Sequence, residues 1–303
     1  MAVAEPVLTG PGGIGTPGGP TSPGVARKLA RTRTSRSYGR TGAWIATSLF
    51  GVVTLIAAGA KVIAPEDPIV PKGVPLQPPG ADGFLLGTDS IGRDLLSRVL
   101  VGLQLSWFSA LVVIASGLLI GGLVGAVAGA TGGWVDAVLM RITDGFLALP
   151  APVLAIAVVA ALGPGVRNTL LAVAIVWWPL YARIIRGEVK ALASRPHIEA
   201  ARLSGTSRTR IVLRHLLPGV VPAAVVTASL DVGGLVLTLA GLSFLGLGQP
   251  APAPELGADT ARNLSYLLQQ WWIPLMPGLA VMVLALVGNI AGDGVRSLLQ
   301  KTR

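Results

Sequence analysis

The sequence contains no cysteine, only two histidines and few charged residues for a length of 303 residues. The absence of cysteine excludes disulfides, thiol nucleophiles and cysteine-ligated metals. Charged residues make up 13% of the chain and hydrophobic residues 52%. That is too little charge to cover the surface of a soluble protein of this size. The composition therefore predicts an integral membrane protein.

A phosphate-binding loop is also missing, because no lysine in the chain follows a glycine. Two histidines without cysteine offer no convergent polar set for a membrane enzyme. The net charge is +10, but the basic residues are spread along the chain instead of clustering with aromatics, which argues against nucleic acid as a partner. We expect no enzymatic activity in this chain, and any nucleotide hydrolysis that drives it must occur on other polypeptides.

Six apolar runs predict an all-α membrane fold with six transmembrane helices. Pro150 and Pro152 fall inside the third run and predict a kink, and Arg141 and Asp144 are spaced to pair near its start. The six runs cover residues 43–63, 99–130, from the turn at 132–136 to 162, 168–184, 216–247 and 273–291.

Glycines recur every four residues in and just after the second run, which places them on one helix face. Such a seam lets another helix approach closely, and we expect it to pack within the bundle in preference to forming a dimer contact. Its members are Gly117, Gly121, Gly125, Gly129 and Gly133.

Basic residues are distributed unequally between the two sides of this topology. Of the 24 lysines and arginines, 18 fall on the side that carries both termini, the turn at 132–141 and the loop at 183–215, and six fall on the other. The positive-inside rule therefore predicts cytoplasmic termini and a cytosolic central loop in a multi-pass protein of the cell membrane.

The chain divides into four predicted segments. Residues 1–42 are a Gly/Pro-rich and then basic cytoplasmic tail, expected to be disordered. Residues 43–98 hold the first span and an outer loop, residues 99–298 hold five spans as a core domain, and residues 299–303 are a second cytoplasmic tail. A cleaved targeting peptide ending near residue 60 is the alternative for the N-terminus, but the apolar run is a full span in length.

The central stretch from Ser194 to Pro218 is polar and strongly basic, and apolar runs enclose it. Ser194 and Pro196 favour a helix start, and Gly205 suits a helix end that requires positive φ. A second helix is predicted from Arg208 to Leu217, interrupted by Pro218. Ile198, Ala201 and Gly205 are spaced to form a shallow apolar stripe that could dock into a groove of another protein.

The order of residues in this loop resembles the EAA loop of permease subunits in binding-protein-dependent ABC importers. Glu199-Ala200-Ala201 is followed by Gly205 and then by Leu217-Pro218. Further motifs resemble the dipeptide/oligopeptide/nickel branch of that family, and its second, C-type permease in particular. They are Gly87-Thr88-Asp89-Ser90-Ile91-Gly92-Arg93-Asp94, Gly132-Gly133-Trp134-Val135-Asp136, Tyr181-Ala182-Arg183, Leu242-Ser243-Phe244-Leu245-Gly246-Leu247-Gly248 and Gly292-Asp293-Gly294.

The resemblance implies a type I ABC importer permease fold in which residues 188–218 form a cytosolic coupling loop to an ATPase. Glu199, Ala200, Ala201 and Gly205 would seat in a cleft of that ATPase, with Arg202 and Arg208 at the rim, and Leu217 and Pro218 would join the loop to the fifth span. The implied partners are a homologous B-type permease, two ATPase subunits or domains that hold ATP and Mg, an extracytoplasmic solute-binding protein and the lipid bilayer.

The same resemblance implies short peptides as cargo, carried by alternating access. Nickel, glutathione or another small solute is the alternative, because importers for these solutes share the permease pattern. His215 stands where the loop pattern has an aliphatic residue, and Leu239 stands where peptide permeases of this branch often carry a glutamate. Asp231 lies earlier in the fifth run, where it could line the pathway or hydrogen-bond within the bundle.

Other transport mechanisms fit the sequence less well. A proton-coupled secondary transporter would need a chain of ionisable groups at the midplane and usually internal repeats, whereas Asp231 is nearly alone. An ion channel would leave the cytosolic loop unexplained.

Overall fold

The computed structural model describes residues 40–300, and the tail predicted to be disordered lies almost entirely outside them. The described part is helical, with a single isolated bridge between Thr88 and Asp94 as its extended pairing. Its α-helices are α1 (Arg40–Ile63), α2 (Leu95–Thr131), α3 (Gly133–Leu147), α4 (Ala151–Leu162), α5 (Val166–Ala193), α6 (Pro196–Leu203), α7 (Arg208–Ile211), α8 (Leu217–Phe244), α9 (Leu256–Arg262) and α10 (Trp272–Gln300).

Five helical segments within residues 40–300 are long and apolar enough to cross a membrane, and they confirm the corresponding predicted spans. They are α1, α2, α5, the continuous stretch Arg208–Phe244 and α10. The bent pair α3 and α4 makes a sixth if it is counted as one broken span. The chain is thus an all-helical membrane protein.

The kink predicted in the third span is a full break, with an angle of 84° between α3 and α4. Pro150 is the N-cap of α4 and Pro152 lies in its first turn, so neither proline interrupts the middle of a helix. Proline is tolerated there because the first helical N–H groups have no intrahelical acceptor. The two prolines therefore start a new helix instead of bending an existing one.

The glycine seam packs α2 against α5, as predicted for the bundle interior. A Cβ atom at Gly117 would lie 2.8 Å from the ring of Tyr181, and one at Gly121 or Gly125 would collide with the backbone carbonyl of Trp178 or Ala182. Gly129 faces Val189 in the same way, but Gly133 lies beyond the end of α2 and faces open space. The seam is therefore four glycines long and fixes close contact of these two helices.

Similar close contacts join α8, α10 and α1. A Cβ at Gly292 would lie 2.5 Å from the carbonyl oxygen of Ser229 on α8, and one at Gly294 would lie 2.7 Å from the Cβ of Ala46 on α1. The main apolar core contains side chains of α1, α2, α4, α5, α8, α9 and α10, including the fully buried Trp107. The helix bundle has two ends. We name each end by the loop it carries: the 64–94 end and the 194–216 end.

Candidate functional site

The 194–216 end carries a helix, a sharp corner and a second helix. Backbone N–H groups of Gly205 and Thr206 donate to the carbonyls of Arg202 and Ala201, which is the bonding pattern of a Schellman helix end. The φ angle of Gly205 is +76°, as the sequence predicted for this position. The first helix begins at Pro196, and its N-cap is Arg195. The corner is therefore set by backbone geometry at one glycine.

The apolar side of α6 faces the protein's own interior. Ile198 is 1% exposed and packs in a cluster with Ile185, Val189, Leu192, Ile211, Leu216 and Val220, and Ala201 packs partly against the same cluster. The prediction that Ile198 belongs to a docking stripe is therefore wrong. The helical spacing of apolar residues predicts that one face of α6 is buried. Here that face is buried against the same chain.

The outer side of α6 carries a different set of residues. Glu199, Ala200, Arg202 and Leu203 are exposed, and Leu203 is 87% exposed. Sequence reasoning missed Leu203, although its position four residues after Glu199 puts both on one helix face. The surface presented to a partner is a leucine and an alanine flanked by charges of both signs.

The second half of the loop runs into α8 without a break. Residues Val212–Leu216 form a π-helical turn, closed by the bond from the Leu217 N–H to the Val212 carbonyl. Pro218 stands in the first turn of α8 and has no N–H to donate. The interruption predicted at Pro218 is thus a widened turn, and residues 208–244 form one continuous helix that we call the connecting helix.

Ion pairs hold the base of the loop to the bundle. Asp136 on α3 accepts hydrogen bonds from Arg186 and, at 2.6 Å, from Lys190 on α5. Asp144 pairs with Arg183 of α5 at 2.5 Å and not with Arg141, so the predicted local pair is wrong. The tertiary contact satisfies the carboxylate better than a neighbour on the same exposed helix face would.

Cations of the loop itself are mostly left unpaired. Arg208 donates to the carbonyl of Thr131 at 3.4 Å. Arg202, Arg210 and Arg214 are exposed and have no ion-pair partner within residues 40–300. These exposed arginines make the surface of the loop as a whole positively charged.

Asp231 lies about halfway along α8 and is bound by two donors from α5. Its Oδ2 accepts from Trp177 Nε1 at 2.5 Å and from Tyr181 Oη at 2.9 Å. Tyr181 is almost fully buried, and the carboxylate is partly buried. Of the two uses left open for Asp231, the structure shows the hydrogen bonding within the bundle.

At the 64–94 end, the motif Gly87–Asp94 folds the loop upon itself. Asp89 accepts from the backbone N–H groups of Ile91 and Arg93, at 3.0 Å each, and from Arg93 Nε at 2.6 Å. Asp94 caps α2 by accepting from the Ser97 N–H at 2.9 Å. The Thr88 hydroxyl donates to the Val74 carbonyl. Gly87 and Gly92 have positive φ and lie against the carbonyls of residues 77 and 73.

A buried arginine of α2 joins this loop to the segment that contains Pro252 and Asp259. Arg98 is 2% exposed, and its guanidinium donates to both oxygens of Asp259, at 2.7 and 2.9 Å, and to the carbonyls of Pro68 and Pro252. Every one of these acceptors lies outside α2, which holds Arg98 itself. Sequence reasoning missed this network because the residues are about 30 and 160 positions apart. The predicted motif residues, with Arg98, thus build a hydrogen-bonded platform at this end.

Glu255 is a second buried carboxylate at the 64–94 end. It accepts from the Ser243 hydroxyl and from the backbone N–H of Gln249, so it closes the turn that follows α8. Burial raises the pKa of its carboxyl above the ordinary value, and the two donors and nearby Arg262 offset part of that rise. The hydrogen bonds to Ser243 and Gln249 show that this carboxyl joins the end of α8 to the turn.

A cleft of about 940 Å³ opens at the same end, lined by α2, α5 and the segments that follow α1 and α8. Its floor includes Leu105, Phe108 and Leu170, and Lys61 and Lys72 lie among its charged lining residues. The glycine seam thus lies toward the 194–216 end of α2 and α5, and the cleft opens at the other end.

Long apolar helices, a rigid polar platform at one end and an exposed helix–glycine–helix loop at the other define a multi-pass membrane transport component. The sequence profile of the binding-protein-dependent transport system inner membrane component family matches residues 117–302, and the chain belongs to that family.

Curated relatives support the same assignment. The chain is 44% identical over 224 residues to the probable D,D-dipeptide transport system permease protein DdpC of Escherichia coli K12, covering 74% of this chain and 75% of the relative. It is 38% identical to the di/tripeptide permease DppC of Pseudomonas aeruginosa, covering 82% and 84%. It is 41% identical to the glutathione permease GsiD of Pectobacterium atrosepticum, covering 71% of each.

Among solved structures, the fold resembles a chain of the MetNI methionine ABC transporter in an inward-facing conformation. The TM-score is 0.55 with 19% sequence identity, over 68% of this chain and 96% of that chain. The likeness confirms the all-helical permease fold predicted from the sequence.

Proposed function

We propose that this chain is one permease subunit of an ATP-driven, binding-protein-dependent importer of short peptides, and that it works by alternating access. The observation that carries the proposal is the loop at residues 194–216, whose exposed helix continues through the connecting helix into the bundle. A force applied to α6 would reach the bundle along that helix. Family membership and the printed functions of the relatives support an importer.

The 194–216 end faces the cytosol in this proposal. The unequal distribution of lysine and arginine supports that orientation. The same loop presents Arg202, Arg210 and Arg214 without ion-pair partners in the described part of the chain, which would suit a protein surface rimmed with carboxylates.

The other components follow from this arrangement. A homologous permease would complete the pathway, two ATPase subunits or domains would hold ATP and Mg, and an extracytoplasmic solute-binding protein would deliver cargo at the 64–94 end. The rigid platform held by Arg98 and Asp259 would give the binding protein a fixed surface. Each of these partners is part of the proposal.

Short peptides are the favoured cargo because two of the relatives described above transport dipeptides or di- and tripeptides. Glutathione is the second candidate, supported by the glutathione permease at 41% identity. Both are small peptides with free carboxylates and an amino group, so one pathway chemistry would serve either.

Docking on the ATPase would centre on Leu203, with Ala200 beside it and Glu199 and Arg202 at the edge. A leucine with 87% of its surface exposed gains most from burial when a partner pocket covers it. Gly205 would hold the corner that presents this surface.

Copurification tests the docking surface directly. In the complex purified through a tag on this chain, Leu203→Asp should weaken ATPase retention by about 30-fold, the scale of an interface hot spot. Leu203→Met keeps an apolar side chain of similar volume and is the matched control. Equal ATPase retention by both variants would contradict docking at α6.

A further inference from the structure

The polar contact between the connecting helix and α5 is made by one carboxylate and two donors. Trp177 and Tyr181 are four residues apart, so they lie on the same face of α5, one turn apart. Both donate to the same oxygen, Oδ2 of Asp231. The contact therefore fixes the height of α8 relative to α5 as well as its distance.

Tyr181 extends the link to a third helix. Its ring lies where a Cβ at Gly117 of α2 would be, at 2.8 Å, and its own Cβ lies 2.8 Å from the equivalent position at Gly121. The side chain is 1% exposed, so it is enclosed between α2 and α8. One tyrosine thus contacts the glycine seam with its ring and Asp231 with its hydroxyl.

The position of Asp231 along the connecting helix matters for motion. It lies 14 residues beyond Leu217, roughly 21 Å along the helix axis from the loop. The first turns of α8 pack against the loop cluster through Val220. The same cluster includes Val189 and Leu192 of α5, so α8 meets α5 through apolar contacts near the loop and through directional hydrogen bonds at Asp231.

We propose that Asp231 is a positioning residue that transmits movement of the connecting helix to α5, and through Tyr181 to α2. The inference rests on the proposed function, because the movement is that of an ATPase-driven loop. Asp231 acts here as an acceptor for protein donors and not as the ligand of a cargo amino group. Its charge is less important than its acceptor oxygen.

Three substitutions separate these roles in the complete complex reconstituted in proteoliposomes. Asp231→Asn removes the charge and keeps an acceptor oxygen. Asp231→Leu removes the acceptor and leaves the two donors unpaired, and Tyr181→Phe removes one donor while keeping the ring. The measured quantities are ATP hydrolysed per peptide transported, and the KM for a tripeptide with either a free or an acetylated amino terminus.

The proposal predicts that Asp231→Asn stays within about threefold of the wild type in ATP hydrolysed per peptide, whereas Asp231→Leu raises that ratio about tenfold, the scale of leaving buried donors unpaired. The ratio of ATP to peptide in Tyr181→Phe should fall between the ratios of the two Asp231 variants. The KM ratio between the two tripeptides should be unchanged in all three. A normal ratio of ATP to peptide in both Asp231→Leu and Tyr181→Phe would overturn the proposal.

A selective rise in KM for the free-amine tripeptide in Asp231→Asn would also overturn it, and would make Asp231 a cargo ligand. If Asp231→Leu fails to fold, Tyr181→Phe decides the outcome, because it conserves the packed ring. Absence of ATP-driven uptake in the wild type would refute the proposed function and this inference together. Uptake in the wild type with unaffected variants would refute the inference alone.

Discussion

At Gly205 the backbone adopts φ of +76°, and the position that a Cβ would occupy is open. A side chain there costs conformational energy without a steric clash, on the order of 1–2 kcal/mol for an L-residue in the left-handed region. Gly205→Val should therefore reduce ATP-dependent uptake more than tenfold while membrane insertion stays normal. Gly205→Asn, which tolerates this conformation, is the control and should retain most of the uptake. Equal loss in both variants would contradict a role for backbone geometry.

The buried carboxyl of Glu255 makes a pH-dependent contribution to stability. Because burial raises its folded pKa, the folded state binds this proton more tightly than the unfolded state. The stabilising contribution is complete below the unfolded pKa of about 4.3 and is lost as pH rises through the folded pKa.

Comparison with a neutral variant isolates this effect. The difference in melting temperature between the wild type and Glu255→Gln, in detergent, should become less favourable to the wild type as pH increases from 4 to neutrality. A difference that does not vary with pH would contradict the raised pKa.

Individual residues of the loop were predictable, but their surroundings were not. The positions of Pro196, Gly205 and Pro218 identified a helix, a corner and a second helix. They could not say whether Ile198 would meet the protein's own core or a partner, since both surfaces are apolar. Likewise, spacing suggested a pair between Arg141 and Asp144, and the fold instead brings Arg183 to Asp144.

The glycine seam is formed by two helices, α2 and α5. It predicts opposite effects on stability when adjacent glycines are replaced. A Cβ at Gly121 would collide with the Trp178 carbonyl, whereas Gly122 has no neighbour within 4 Å. Gly121→Ala should therefore lower the stability of the solubilised protein by about 1–3 kcal/mol. Gly122→Ala should be neutral or stabilising by up to about 1 kcal/mol. Melting temperatures of the two variants provide the measurement, and a similar shift in both would contradict the packing.

The platform at the 64–94 end depends on Arg98 of α2, whose guanidinium donates to Pro68, Pro252 and Asp259. Arg98→Gln should cost about 3–5 kcal/mol, since it leaves the buried Asp259 without its main partner. Arg262 also contacts Asp259 but is 32% exposed, so Arg262→Gln should cost about 1 kcal/mol or less. Thermal unfolding of the two variants distinguishes them. Equal destabilisation in Arg98→Gln and Arg262→Gln would contradict a larger contribution from the buried arginine.

The positions of the spans were largely readable from hydrophobic runs, although α5 and α10 each continue nine residues beyond the predicted ends at 184 and 291. The five uninterrupted spans appear where the apolar stretches predicted them, because a bilayer demands long apolar helices. The break at Pro150 was predicted as a kink, yet its 84° angle depends on how α4 packs, and no local rule fixes that. The ion pairs between α3 and α5 could not be predicted from the sequence for the same reason.

On the scale of the whole molecule, tight and open regions lie at opposite ends. The glycine seam and the ion pairs of Asp136 and Asp144 join α2, α3 and α5 toward the loop, and a cleft of about 940 Å³ lies at the other end. The loop that would receive force from an ATPase thus emerges from the most rigid part of the bundle. That arrangement suits transmission of movement as a unit.

The most direct test of the central claim is uptake of a labelled dipeptide by proteoliposomes that contain the complete importer and trapped ATP. The account predicts uptake that requires ATP and the binding protein, persists when the proton gradient is collapsed, and falls more than tenfold when this chain carries Gly205→Val. Uptake that is lost with the proton gradient, or that continues unchanged in Gly205→Val, would contradict it.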